Sequence, residues 1–422
     1  MVFAVVVAFA TLYFWFAGSQ SELQSGTTAN LLITLGKLAG LFLTLLLLTE
    51  LLLVSRAPIF EKLKGFPGLN KIHRGFGISV IGFLVLHGVF LVWGYALRDN
   101  VGIIQQLQTF FTWWDGVAAA IISAIVLFAI GIISIPYIRK KLRYEIWYYL
   151  HLLIYPILLF SFGHQISSGD MSSGIAKLFW ITIFSSVIGF FMWYRFGRPL
   201  FFYSNHQFRV EKIEKETDDV FSVYITGKSM ETFKFTAGQY ANFLFLQRGF
   251  ISRHPFSFST PFNGKNIRIT VKSRGDFTNQ IHTLHIGTPV IIDGPVGNTT
   301  LEISETKKYC FISGGIGITP IAAMIHSLQS PSDAILFSAN RSKDDRPLIG
   351  ELSKTGVVIC EYLSDAIPKT RIDANEIKKR CSDIHERDIY VCGPPLMIND
   401  ITDGLLRKEV SQKRIHSEEF NY

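Results

Sequence analysis

Four histidines, His73, His87, His151 and His164, stand inside long apolar runs, and no other histidine precedes residue 206. They form two pairs. His73 and His87 are 14 residues apart in one run, and His151 and His164 are 13 apart in another. An imidazole in hydrocarbon is costly, which makes each a functional candidate. Two pairs at nearly equal spacing on two helices suggest two stacked haems, each held by two histidines. At about 1.5 Å rise per residue the two levels lie roughly 20 Å apart. That is a ladder for single electrons across a bilayer. Fourteen residues return to within about 40° of the same helix face, whereas thirteen miss it by about 140°. The second helix must therefore be bent or rewound, and Pro156 between its histidines removes a helical hydrogen bond and permits this. Ordinary interhelical hydrogen bonding by four histidines would not explain the pairing.

The elements that must carry the histidines are apolar spans. Six are expected, over 2–17, 31–54, 72–96, 116–138, 146–166 and 175–195, mostly long enough for a hydrocarbon core of about 30 Å. Basic residues gather in alternate connections: Arg56, Lys62, Lys64, Lys71 and Arg74, then Arg139, Lys140, Lys141 and Arg143, then Arg195 and Arg198. By the positive-inside rule both termini are cytoplasmic and the protein is a multi-pass protein of the cell membrane. The first span is short, and Ala17-Gly18-Ser19 has the look of a cleavage site, but a short or tilted helix suits it better. The odd-numbered third and fifth spans run parallel, so His73 pairs with His151 near the inside and His87 with His164 near the outside. Gly75, Gly77 and Gly82 would let a porphyrin approach the third span, or let helices pack closely. Lys37 and Glu50 are unusual in the second span. Lys37 suits a haem propionate, an anion or the interface, and Phe83 and Phe160 are candidates for the space between haems.

The 422 residues allow two or three domains. The net charge of +8 sits largely beside the spans and is no nucleic-acid signal. All four cysteines lie after residue 309; they imply no disulfide framework and point to a cytosolic second half. There, alternating segments at 207–214, 219–227, 239–246, 254–259 and 266–272 predict an antiparallel barrel. Gly275-Asp276-Phe277-Thr278 opens a short helix whose N–H groups suit a pyrophosphate. An apolar strand at 309–313 runs into Gly314-Gly315-Ile316-Gly317-Ile318-Thr319-Pro320 and a helical run. Thr319 is the expected N-cap and Pro320 suits the first turn. With later strands at 335–339, 357–362 and 388–392, this predicts a nucleotide-binding α/β unit. Ser338 and Arg341, at the end of the strand at 335–339, suit a 2′-phosphate and favour NADPH. The strand at 388–392 ends in Cys392-Gly393-Pro394-Pro395.

Arg253-His254-Pro255-Phe256-Ser257, Gly-Gly-x-Gly-x-Thr-Pro, Cys-Gly-Pro-Pro and a terminal Glu-x-Phe resemble the ferredoxin–NADP reductase superfamily. Joined to six spans with paired histidines, the chain resembles the NADPH oxidase and ferric reductase family, most closely its stand-alone bacterial oxidases. The resemblance implies a membrane α-helical bundle over 1–200, an FAD-binding β-barrel over 205–303 and an NADPH-binding α/β domain over 304–422. It implies that His254, Pro255, Phe256 and Ser257 line the flavin, with Ser257 near the reactive nitrogen. Arg253, Lys272 and Thr278, with Gly275 beside them, would contact FAD phosphates. Gly314, Gly315, Gly317 and Thr319 would hold NADPH. Cys392, with Gly393 and Pro394, would lie near the nicotinamide, and Phe420 (or Tyr422) would shield the flavin as a lid. The implied cofactors are FAD, NADPH and two b-type haems. The implied acceptor is molecular oxygen, yielding superoxide, or a ferric or cupric chelate. No obligatory protein activator is expected. Leu91 stands where eukaryotic oxidases often carry a further histidine, which leaves the metal-reductase reading open. A haem-linked proton or ion pathway is the reading from a different class, and the flavin and nucleotide motifs argue against it.

Overall fold

A computed structural model describes residues 2–250, 252–304, 306–365 and 371–419. The chain divides into two compact units, Met1–Phe60 with Phe66–Arg195, and Glu61–Gly65 with Phe196–Tyr422.

The first unit is helical. Its main helices are α1 (Val2–Gly18), α2 (Thr28–Val54), α3 (Pro58–Asp99), α4 (Ile103–Trp113), α5 (Val117–Ile133), α6 (Tyr144–His151), α7 (Ile154–Ser167) and α8 (Gly174–Met192). Four segments are long and apolar enough to cross a membrane: α2, residues 68–99 of α3, 146–167, and 174–206. The first and fourth expected spans form shorter helices. Each has 17 residues, about 25 Å of helix, and α5 meets α4 at 116°. The unit turns apolar side chains such as Phe9, Ile78 and Phe160 outward, as lipid requires. Its interior is organised around α2. Ile33 of α2 packs with Tyr95 and Phe110, Leu43 with Val80 and Leu127, and Leu48 and Leu51 with Leu158, Phe184 and Phe191.

The fifth span is broken where the spacing of its histidines demands. α6 ends at His151 and α7 begins at Ile154. Across the break, Leu153 N–H donates to the Leu150 carbonyl and Tyr155 N–H to that of Leu152, tightening the winding to three-residue steps. Pro156 falls in the first turn of α7, where its missing N–H costs least.

The second unit starts with a helix, α9 (Arg198–His206), and continues as two antiparallel sheets. Strands β1 (Arg209–Lys215), β2 (Val220–Thr226) and β5 (Ile267–Lys272) form one; β4 (His254–Ser257), β3 (Tyr240–Phe245) and β6 (Val290–Val296) form the other. Bridges between Arg209 and Pro289 and between Phe258 and Ile269 join both edges and complete a six-stranded barrel. The sixth strand was not foreseen, because Gly294-Pro295 interrupts its pattern. The barrel core is aromatic, with Phe208, Phe243, Phe245, Phe250 and Phe258 fully buried. A parallel sheet follows, in the order β11 (Ile415–Glu419), β10 (Asp388–Gly393), β7 (Tyr309–Gly314), β8 (Ala334–Asn340) and β9 (Val358–Leu363). Strand order reverses between β7 and β10, so their carboxyl ends open a crevice.

Two basic side chains of β5 link the barrel to the parallel-sheet domain. Arg268, buried, donates to both Glu351 oxygens at 3.0 and 2.8 Å and to Glu216 at 2.7 Å. Lys272 reaches Asp345 at 2.8 Å and Asp219 at 3.3 Å. Removing the guanidinium leaves the partly exposed Glu216 and Glu351 without their shared counter-charge, which destabilises the link by less than stranding a fully buried charge would. Arg268→Met should therefore lower the thermal transition of the full-length protein in detergent, read by flavin fluorescence. Arg268→Lys, which keeps the charge but loses the two-pronged contact, should lower it less. Equal transitions for all three forms would show that the link contributes nothing.

Candidate functional site

The structure brings the four membrane histidines together in the expected pairs. Ring centres of His73 and His151 are 6.1 Å apart with planes at 80°; those of His87 and His164 are 6.4 Å apart at 46°. Imidazoles bound to one metal from opposite sides, each nitrogen at about 2 Å, have ring centres about 6 Å apart. Both pairs thus have room for one iron, and each iron would have two protein ligands. Among the described residues no group of three or more His, Cys, Asp or Glu gathers as a metal site. A Cβ on Gly75, Gly77, Gly82, Gly88 or Gly163 would meet nothing within 4 Å. These glycines do not serve close helix packing.

The second nitrogen of three of the rings faces a polar atom of a neighbouring segment, whereas Nδ1 of His164 is buried with no hydrogen-bond partner among the described residues. His73 Nδ1 is hydrogen-bonded to Glu50 of α2. His87 Nδ1 donates to the Gly36 carbonyl of the same helix at 2.8 Å. His151 Nδ1 lies 3.4 Å from Ser134 Oγ, and its ring stacks on Trp147. A carbonyl oxygen only accepts, so His87 carries hydrogen on Nδ1 and keeps the Nε2 lone pair for a metal; an ionised Glu50 would set the same tautomer on His73. Gly40 makes room for His87, because a Cβ there would sit 2.5 Å from Nδ1. Neither Glu50 nor Gly40 is recognisable as a partner from its own surroundings in sequence. The signal was a spacing: Gly36 and Glu50 are 14 apart, as are His87 and His73. Lys37 is not available to a propionate. It pairs with Glu22 at 2.9 Å and Asp170 at 3.1 Å.

In the barrel, the motif Arg253–Ser257 lies along β4, opposite β3, with His254 paired to Phe243 and Ser257 to Tyr240. His254 stacks on Phe277 with ring centres 3.8 Å apart. Burial lowers the His254 pKa, so the ring is neutral. Pro255 is exposed, Phe256 half-buried and Ser257 buried. Arg253 lies 3.7 Å from Asp293. Thr278 Oγ1 accepts from the N–H groups of Arg274 and Gly275 at 2.9 and 3.0 Å. That closes the turn and takes the Gly275 amide, one of those expected to face a pyrophosphate. Lys272, expected at a phosphate, is engaged with Asp345 and Asp219 as above.

The crevice at β7 and β10 explains its glycines one by one. A Cβ on Gly317 would lie 2.3 Å from the Cys392 carbonyl, and one on Gly314 would strike Met397 and Pro394. One on Gly393 would reach Met397 at 2.8 Å. These three allow close packing. Gly315 differs: its φ is +52° and a Cβ there would meet nothing, so the turn borders an open place. Helix α10 (Ile318–Ser327) starts after Gly317, which is its N-cap. Thr319 is therefore not the cap; it is buried in the first turn and its hydroxyl donates to the Ile316 carbonyl at 3.0 Å. Ser338 is also buried, its hydroxyl held between Ser313 and Asn340. Arg341 remains well exposed, beside Asp365 at 3.3 Å. Cys392 is fully buried; burial, and then the charge of Glu418, push its thiol up, so it stays neutral. Phe420 and Tyr422 lie outside the described residues; β11 ends at Glu419, paired with Gly393.

Gly315 and Gly317 should respond differently to alanine. Gly315→Ala bears only the left-handed backbone cost of about 1 kcal/mol and fills the open place. It should keep most of its thermal stability but lose most of the stabilisation given by added NADP⁺. Gly317→Ala drives a methyl into backbone and should lower stability with or without nucleotide. The reverse pattern in thermal shifts would remove Gly315 from the nucleotide site.

Comparison with known proteins places these features. Residues 35–162 match the ferric reductase like transmembrane component, 204–300 an FAD-binding domain and 311–403 an oxidoreductase NAD-binding domain. A flavohemoprotein of Candida albicans is 31% identical over 49% of this chain and 58% of its own. One of Oceanobacillus iheyensis is 25% identical over 50% and 58%. Ferric reduction oxidase 8, mitochondrial, of Arabidopsis thaliana is 24% identical over 65% of this chain and 38% of its own. The chain thus spans less than two thirds of the length of each of these relatives. The FAD/NAD-binding domain of a Vibrio cholerae nitric oxide dioxygenase superposes on 51% of the chain, and 99% of that domain, with a TM-score of 0.45 and 23% identity. A ferric-reductase-like transmembrane component followed by FAD-binding and NAD-binding domains gives this chain the architecture of the NADPH oxidase and ferric reductase family.

Proposed function

We propose that this protein carries electrons from cytosolic NADPH through FAD and two b-type haems to molecular oxygen on the outer face of the cell membrane, producing superoxide. The observation that carries the reading is the pair of facing imidazoles at each of two levels, 6.1 and 6.4 Å between centres, in a chain that also holds a reductase module. The bound cofactors would supply the redox chemistry, hydride from NADPH and single-electron relay through FAD and haem, while the protein holds and spaces them. His73 with His151, and His87 with His164, would hold one haem iron each between two imidazoles, leaving no open position for an acceptor to bind the metal. The β4 motif and Phe277 form the flavin shelf. Ser257 would lie near the flavin's reactive nitrogen, and the buried Cys392 would pack near the nicotinamide without acting as a nucleophile. Arg341 reads the 2′-phosphate; its exposed guanidinium suits a two-pronged contact. The basic connections put both termini in the cytoplasm.

A metal-reductase reading is favoured by two observations. The helical unit matches a ferric-reductase-like component. Leu91 packs in an apolar cluster with Ile33, Tyr95 and Phe110, so no extra imidazole serves oxygen there. Anaerobic NADPH oxidation with added ferric chelate, compared with aerobic oxidation in which superoxide is trapped, separates the two acceptors. Rapid turnover only with chelate would replace oxygen by ferric iron.

Pyridine haemochrome analysis should give about two haems per chain, as two bis-histidine levels require. His87→Ala or His164→Ala should give one, while NADPH still reduces the flavin anaerobically. Folded variants that cannot reduce flavin would refute the modular reading. Arg341→Ala should reduce the NADPH/NADH ratio of kcat/KM at least tenfold, about 1.4 kcal/mol for one charge-assisted contact. An unchanged ratio would show that the phosphate is read elsewhere.

A further inference from the structure

The two histidine levels differ in what stands behind them. α2 and α3 run antiparallel, and their registers match: Gly36 meets His87, and 14 residues on, Glu50 meets His73. At the outer level the acceptor is a neutral backbone carbonyl. At the inner level it is a carboxyl group, on the only acidic residue of α2. Glu50 is 8% exposed. Its second oxygen, Oε1, has no hydrogen-bond partner among the described residues, so its hydrogen bonding is committed to His73. A buried acidic side chain in an apolar helix is costly and marks a functional position. A packing role alone would be served by leucine, as at the neighbouring Leu48 and Leu51.

We propose that Glu50 is a positioning residue that makes the inner, His73/His151 site the lower-potential one, so that electrons run downhill to the outer, His87/His164 site. This rests on the haem ligation proposed above. A carboxylate that accepts from a ligating imidazole fixes its tautomer and raises its basicity. A more basic ligand favours the oxidised metal. A carbonyl acceptor fixes the tautomer just as well but transfers less negative charge to the ring. The same helix therefore orients both imidazoles while tuning only one. His151 adds no such bias, since its Nδ1 faces a hydroxyl at 3.4 Å.

The test is a potentiometric titration of the full-length, haem-loaded protein, with haem counted in each sample. Wild type should titrate in two one-electron steps. Glu50→Gln keeps an oxygen that accepts from His73 but removes the carboxylate. It should retain two haems and raise the lower step at least tenfold in electron affinity, which is 59 mV for one electron, leaving the upper step in place. Two retained haems with both steps unmoved would overturn the assignment. Should Glu50→Gln shed the inner haem, His87→Ala decides: its single remaining step should coincide with the lower wild-type step, and coincidence with the upper one overturns the proposal. Wild type that binds no haem would defeat the ligation reading itself, a result that the haem count tells apart from the others.

Discussion

An imidazole inside hydrocarbon is costly unless its polar atoms find partners, and at His73 and His87 the helical unit is arranged around that constraint. Water cannot supply the missing contact, so it must come from a neighbouring helix. α2 supplies it twice, through the Gly36 carbonyl and Glu50. This helix is also the one whose apolar residues enter all three buried clusters of the unit. Packing and orientation of the rings are thus a single problem with a single solution. Gly40 shows how tight it is: the absence of one methyl group admits the His87 ring.

The break after His151 follows from the same requirement. A straight helix would turn His151 and His164 to different faces. The tightened winding at 150–155 and the placement of Pro156 in the next first turn bring both rings to partners on α3. α3 needs no such device, because its histidines are 14 residues apart and it runs unbroken through both.

The reductase unit answers a different constraint. Its cofactors are approached by backbone, so glycine dominates, but for two separate reasons. Gly314, Gly317 and Gly393 have neighbours where a side chain would be, and they bring β7, β10 and the following helix together. Gly315 has none, and its left-handed backbone turns the chain around an open place. The basic residues divide likewise. Arg268 and Lys272 are spent on carboxylates linking the barrel to the parallel sheet, whereas Arg341 stays exposed at a strand end.

Periodicity and motif spacing determined much of this protein from sequence alone. The paired histidine intervals, the apolar runs, the alternation of β1 to β5 and the glycine turn after β7 are local patterns, and local patterns survive without a structure. The strand β6 was hidden because glycine and proline break its alternation, and β11 because it is a short, polar edge strand. Tertiary structure alone decided which polar atom stands behind each ring, since Gly36 and Glu50 meet α3 only through the antiparallel register of two helices. It alone decided that Thr319 and Ser338 are buried, that Lys37 and Lys272 are paired with carboxylates, and that Gly75, Gly77 and Gly82 face open space. The physical reason is common to all of these. A residue type announces what chemistry it can do, but its availability depends on neighbours far away in the chain.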